Sequence, residues 1–219
     1  MPRLLFEKVG NSVWISHLDL MRLFQRAFKR SGLLLSHTQG FNPRPSVSIA
    51  LPLSVGIESE CELLDFDLDG QAVSNAEIKT RLNRALVEGI RVLDVYDDGK
   101  KIGKLAFMDC AVRLEYDRGV PEGAVEKIAE LFGRGEIIVD KKSKNGPTAQ
   151  NIAPMIKSLS VMKQDDQAVL LQGRICCQNP TMNPAAFAAA ITKYLPDFAA
   201  DYSVCRRLRL YDNEEKPFR

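Results

Sequence analysis

Two stretches of this 219-residue chain concentrate side chains able to bind or move charge: Ser16-His17-Leu18-Asp19 and the run from Ser36 to Pro45. In the first, a histidine and an aspartate stand two positions apart, residue types suited to exchanging a proton near neutral pH. Positions i and i+2 of a helix point to different faces, so the pair does not engage itself. Two readings of it stay open. Ser16 and Asp19 cap a helix while His17 covers a neighbouring strand, or His17 meets a ligand over the helix N-terminus, where free N–H groups favour anions.

The second stretch, Ser36-His37-Thr38-Gln39-Gly40-Phe41-Asn42-Pro43-Arg44-Pro45, gathers donors between rigid turns. The prolines fix φ, and Gly40 admits angles that a side chain forbids. A loop this stiff and polar suits presentation of groups to a partner. His37, Gln39 and Asn42 offer hydrogen bonds, and Phe41 offers a face for a base. Arg44 and the cations Arg22, Arg26 and Arg30 of the preceding segment offer positive charge to phosphates. The competing reading is an ordered crossover in which Phe41 plugs the core.

Other chemistries find no support. No phosphate-cradling loop, dinucleotide fingerprint, metalloprotease helix or nucleophile elbow is present, and Gly99-Lys100-Lys101-Ile102-Gly103 lacks phosphate-loop spacing. The five cysteines are scattered without a C-x-x-C pair and read as reduced core thiols. With only His17 and His37 besides, neither a metal nor another cofactor is expected. No apolar run reaches the roughly 18 residues of a spanning helix, and MPRLLFEKVG lacks the apolar core of a signal peptide. A soluble, cytoplasmic protein is therefore expected.

The elements that would position these residues alternate in type. A strand from Leu4 to Val9 precedes a Gly10-Asn11-Ser12 turn, and a helix capped by Ser16 and Asp19 carries Leu20, Leu23, Phe24, Ala27 and Phe28 at helical spacing before Ser31-Gly32. Strands follow near Val47–Leu51 and Leu64–Asp69, then a helix from Ser74 to about Val87 and a strand from Ile90 to Tyr96. The rest repeats the order, with strands at Cys110–Tyr116, Glu136–Val139, Val169–Cys177 and Ser203–Tyr211 and helices at Pro121–Phe132 and Pro184–Leu195. A long polar connection separates the middle two strands. The expected fold is α+β, two tandem ferredoxin-like (βαββαβ) halves, residues 1–99 and 104–219, joined at Asp97-Asp98-Gly99-Lys100-Lys101.

Charge is uneven along the chain. Residues 1–50 carry seven basic side chains against two acidic ones, and residues 51–70 carry six acids and no base. Such asymmetry steers charged partners to one face, unless the acids merely line the wet side of a strand. A second basic set comprises Lys141-Lys142-Ser143-Lys144-Asn145-Gly146 and Arg206, Arg207 and Arg209. It reads either as solvated surface or as part of an RNA groove.

Several unusual words occur together: Lys8-x-Gly10, Ser16-His17-Leu18-Asp19-Leu20, Gln25-Arg26-Ala27, Gln39-Gly40-Phe41-Asn42-Pro43-x-Pro45, Leu53-x-Val55-Gly56-Ile57-Glu58-Ser59 and Glu62. In these the first 70 or so residues resemble the radical SAM-linked (radical SAM-associated) family of unknown function. The resemblance implies a radical SAM protein as partner, encoded nearby or fused in relatives. That family usually carries His between the two prolines, where this chain has Arg44. Arg does not serve as a neutral acid or base near pH 7, so the position favours anion binding over catalysis. The expected role is an accessory, RNA-binding or substrate-presenting protein. The alternative is an RNA-processing or RNA-modifying enzyme with His17 or His37 as general acid/base.

Overall fold

The computed structural model describes residues 1–70, 72–143 and 146–219. Lys144 and Asn145 of the basic run lie outside the described residues, as do the side chains of its residues 142 and 143. The chain divides into two compact units, residues 1–104 with Arg219, and residues 105–218.

The first unit contains β1 (Arg3–Lys8), α1 (His17–Arg30), β2 (Val47–Ala50), β3 (Ile57–Phe66), α2 (Asn75–Ala85) and β4 (Ile90–Tyr96). Its strands lie in the order β4-β1-β3-β2, every pair antiparallel. The βαββαβ order read from the sequence is the order of this unit. Alternation along β1 sends Leu4 and Phe6 inward, where they join Leu64 and Phe66 of β3 and Val92 of β4. Against them pack Leu20, Phe24, Ala27 and Phe28 of α1 with Ile78 and Leu82 of α2. The Phe6 and Phe24 rings meet edge-on at 4.8 Å, and Phe28 and Phe66 at 5.1 Å.

β3 departs from expectation. It begins at Ile57, well before the acidic alternation that marked it, and stops at Phe66. Its residues Cys61 to Leu64 are all buried, so both of its faces are covered there. The acids consequently do not share one wet face. Glu62 is only 1% exposed, and Asp65 accepts two hydrogen bonds from the buried Arg3 guanidinium at 2.5 and 3.0 Å.

The second unit contains β5 (Leu105–Glu115), α3 (Ala124–Phe132), β6 (Ile138–Ser143), β7 (Gly146–Asn151), β8 (Ile156–Asp165), β9 (Ala168–Cys176), α4 (Ala186–Tyr194) and β10 (Tyr202–Asp212). Its main strands run β10-β5-β9-β8, all antiparallel, while β6 and β7 form a separate hairpin. Here the sequence reading needs correction. The strand expected at Glu136–Val139 belongs to that hairpin, and the presumed long connection holds β7 and β8. β8 escapes notice because its residues, Ile-Lys-Ser-Leu-Ser-Val-Met-Lys-Gln-Asp, are mostly wet on a sheet edge and show no apolar alternation.

No helix among the described residues is long and apolar enough to cross a membrane. All five cysteines are free and buried. Burial pushes the Cys110 and Cys177 thiols up to about 12 and Cys205 to about 11. Thiolates are the reactive form, so the folded protein should resist iodoacetamide at pH 8 under conditions that label all five thiols in denaturant. Rapid labelling of the native protein at Cys110 or Cys205 would contradict this packing. These raised values also fix the sign of the alkaline response: the thiols' contribution to stability is complete below the unfolded value of 9.0 and is lost as pH climbs through the folded ones.

Candidate functional site

Both ends of α1 are closed by the residues that mark them in the sequence. At its start the Ser16 hydroxyl accepts from the Asp19 N–H at 3.2 Å and donates to the Asp19 carboxylate at 2.7 Å. Arg22 donates to the same carboxylate at 3.0 Å. The Ser16 hydroxyl foremost, then Arg22, holds the Asp19 carboxyl below the usual range. His17 is the first helical residue and half-buried.

At the other end the Gly32 N–H donates to the Lys29 carbonyl at 3.2 Å and the Leu33 N–H to the Phe28 carbonyl at 3.0 Å. This double closure is the Schellman arrangement, and it requires the left-handed φ of +71° at Gly32. It turns the chain back on itself, so that Phe28 and Leu33 are both fully buried. Leu34 and Leu35 then run beside the segment following β3: Asp69 N–H donates to Leu34 O at 2.9 Å, and Leu35 bridges Leu68.

A groove of about 510 Å³ forms in the angle between α1 and this returning chain. Phe28, Leu33, Leu34 and Leu35 give it an apolar floor, and Gln25, Arg26, Lys29, His37 and Asp69 supply its polar rim. Leu34 is half-exposed there. Such a site suits a ligand with a flat or apolar body and an anionic group.

The loop expected to present side chains rises from the same place, since His37 and Pro45 line the groove and bridge each other. Its feet are tied: Thr38 N–H donates to Arg44 O at 2.8 Å, Arg44 N–H to the Thr38 hydroxyl at 3.0 Å and Ser46 N–H to Ser36 O at 2.8 Å. Ser36 and Ser46 are in turn bonded to Asp67. Gly40, with φ +130°, opens the tip. Phe41 stands there with its ring wholly in water, which overturns the reading of it as a core plug. Leaving it out forgoes the roughly 1.5–3 kcal/mol that burial of such a side chain supplies. Gln39, Asn42 and Arg44 are exposed beside it.

The helix cations named from the sequence divide among three roles. Arg22 pairs with Asp19, Arg26 reaches the groove, and Arg30 donates at 2.6 Å to the Ala85 carbonyl at the negative end of α2. Only Arg26 and His37 of the expected residues line the groove itself. His17 sits at the opposite end of α1, so the two histidines do not meet over it. Gln25, Lys29 and Asp69 were missed. Gln25 and Lys29 stand one helical turn apart next to Arg26, which is the signal that identifies them.

Lys8 is a different matter. It continues the inward alternation of Leu4 and Phe6 and is 1% exposed. Its ammonium donates to the Val13 carbonyl at 3.1 Å, and burial lowers its pKa against the raising effect of Glu62. Ser12 donates to Val9 O at 2.8 Å, and Gly56 N–H to Val13 O at 3.0 Å. Together these clamp the short 3-10 turn Gly10–Trp14. A larger hollow of about 580 Å³ adjoins that turn, lined by Glu7, Asn11, Asn83, Glu88 and Arg91 among others. Its Asn83 amide is already committed to the backbone of Val92 at both ends, so it presents less free chemistry than the α1 groove.

A family model matches residues 2–184, more than half the chain. The chain belongs to the bacterial family DUF2344, described as an uncharacterized protein conserved in bacteria. No curated protein matches this DUF2344 chain. Among solved structures, its fold is similar to that of a chain in the crystal structure of a Cbf5-Nop10-Gar1 complex, with a TM-score of 0.55 and 11% identity over 95% of this chain. A chain in the archaeal box H/ACA sRNP Nop10-Cbf5 complex covers 94% of it at 9% identity, but with a TM-score of 0.46 that likeness carries no weight. The DUF2344 chain spans about half of those chains, 48% and 46%.

The helix stop gives a direct check on the groove's construction. Gly32→Ala should destabilise the protein by about 1–2 kcal/mol in urea, the cost of forcing a side chain into the left-handed region. Gly103→Ala, at ordinary φ with open space around it, should cost far less. Equal effects would show that the turn does not depend on the glycine.

Proposed function

We propose that the protein binds RNA across the α1 groove and the loop of residues 36–46 and presents it to a radical SAM enzyme, acting as an accessory and not as the catalyst. The observation that carries the reading is the groove itself, with an apolar floor beneath Arg26 and Lys29 and Arg44 on the loop beside it. The surrounding sequence agrees. From Leu20 to Ile57 there are five Arg or Lys residues and no Asp or Glu, and three of the five, Arg26, Lys29 and Arg44, stand at the groove or on the loop beside it, as suits a polyanion. The partner enzyme is inferred from the motif resemblance. We read the scaffold as two ferredoxin-like halves, the second bearing an inserted hairpin, with their boundary in residues 97–104. The fold likeness to a chain of a Cbf5-Nop10-Gar1 complex concerns this scaffold alone.

One feature favours a second reading. His37 and Asp69 line one groove, so an acid/base role for His37 on a bound RNA has a place to act. Total RNA incubated with wild type, His17→Ala and His37→Ala separates the readings. Unchanged RNA in every sample removes the catalytic one.

Binding itself is measured by anisotropy of a labelled RNA over a range of salt. Affinity should fall steeply with salt, and the Arg26→Glu, Lys29→Glu double variant should bind about tenfold or more weakly. Its salt slope should also be shallower, by about 0.7 for each phosphate of a single strand that is no longer neutralised. The wild type should also co-purify with a radical SAM protein of the kind that the resemblance implies as partner. Absent or salt-insensitive RNA binding would remove the RNA half of the proposal, and failure to co-purify would remove the partner.

A further inference from the structure

We infer that Phe41 is a stacking platform for an unpaired base, so that the RNA crossing this loop is single-stranded there. The inference rests on the RNA reading and adds the strand state of the ligand.

The geometry of the tip separates it from the groove. Phe41 is fully exposed, and none of the ring pairs within the described residues includes it. Yet the loop beneath it is tied at three levels: Ser36 to Ser46, His37 to Pro45, and Thr38 to Arg44. Pro43 and Pro45 further restrict the returning limb. An exposed ring on a pre-ordered loop loses little conformational freedom when a ligand covers it, which is what a rigid contact group requires.

A phenyl ring offers no hydrogen bond to a phosphate or a 2′-hydroxyl. It gains only when an apolar or π face is laid against it. In a duplex the base faces are already stacked, so the ring has nothing to cover and only the cations act. An unpaired base exposes both faces, and base–aromatic stacking of this kind tolerates any sequence. Charge selects nucleic acid over a protein surface as the occupant. Residues 33–46 contain no acid, and Arg44 lies three residues from the ring, with the Gln39 and Asn42 amides on either side of it to meet base edges. Asp67 and Asp69 lie at the foot of the loop, where Asp67 accepts from Ser36 and Asp69 lines the groove.

The test uses a fluorescein-labelled mixed-sequence oligoribonucleotide, alone and annealed to its complement, titrated with wild type, Phe41→Ala and Phe41→Trp. The single strand should bind at least about tenfold more tightly than the duplex, Phe41→Ala should lose about tenfold on the single strand and little on the duplex, and Phe41→Trp should restore binding. A 2-aminopurine placed along the strand should be quenched by wild type and not by Phe41→Ala. Equal affinity for both strand states, or single-strand binding unchanged in Phe41→Ala, overturns the inference. If charge reversal at Arg26 and Lys29 abolishes binding while Phe41→Ala does nothing, RNA binding stands and the platform falls. If no RNA binds to wild type, both fall. If Phe41→Ala loses only association with the radical SAM protein, the ring is a protein anchor and the inference is wrong.

Discussion

The turn that ends α1 is the constraint on which the candidate site depends. Two hydrogen bonds and one left-handed glycine reverse the chain within Ser31 to Leu33. That reversal buries Phe28 against Leu33, lays Leu34 and Leu35 alongside the segment after β3, and leaves an angle open between helix and chain. Were the helix to continue, the leucines would project around its axis and no floor would form. The loop of residues 36–46 begins directly from this floor, so its position is inherited from the same turn. The groove and the loop are thus one construction with one origin.

The cations around this construction show why a charge count is a poor map of a site. Arg22, Arg26 and Arg30 follow one another at helical spacing and appear equivalent in the sequence. In the fold, one completes the start of its own helix, one faces the groove, and one satisfies the carbonyl end of α2. Only the second is spare for a ligand. Lys8 is further from the simple count, because its charge lies inside the sheet and holds a turn in place. A buried ammonium is costly unless its donors are used, and Val13 O uses one of them.

Much of the first unit could be read before the structure was known, because its signals are local. Ser16 and Gly32 bracket α1, Ser74 opens α2, where its hydroxyl accepts from the Glu77 N–H, and β1 and β4 lie close to where alternation puts them. The failures share a cause too. β8 shows few apolar residues because an edge strand buries little, and the start of β3 is hidden because its buried positions Ser59 and Cys61 are only weakly apolar and alternate with Glu58 and Glu60. Asp69 was missed because its environment comes from residues distant in sequence. The burial of Lys8 is legible in the sequence, since Leu4, Phe6 and Lys8 share the inward period of β1. The groove is not, because it joins α1 to a segment after β3 that no spacing rule connects to it.

The clamped turn over Lys8 has one more consequence, for spectroscopy. It carries Trp14, the only tryptophan in the chain, which lies over Gly56 and is 71% exposed. Indole emission from this protein therefore reports the hydration of a single surface turn and not the melting of either core. With that exposure its wavelength in the folded state should already approach that of a solvated indole. Tyrosine absorbance or backbone dichroism follows the cores instead, and the two kinds of signal together would distinguish release of the turn from loss of the fold.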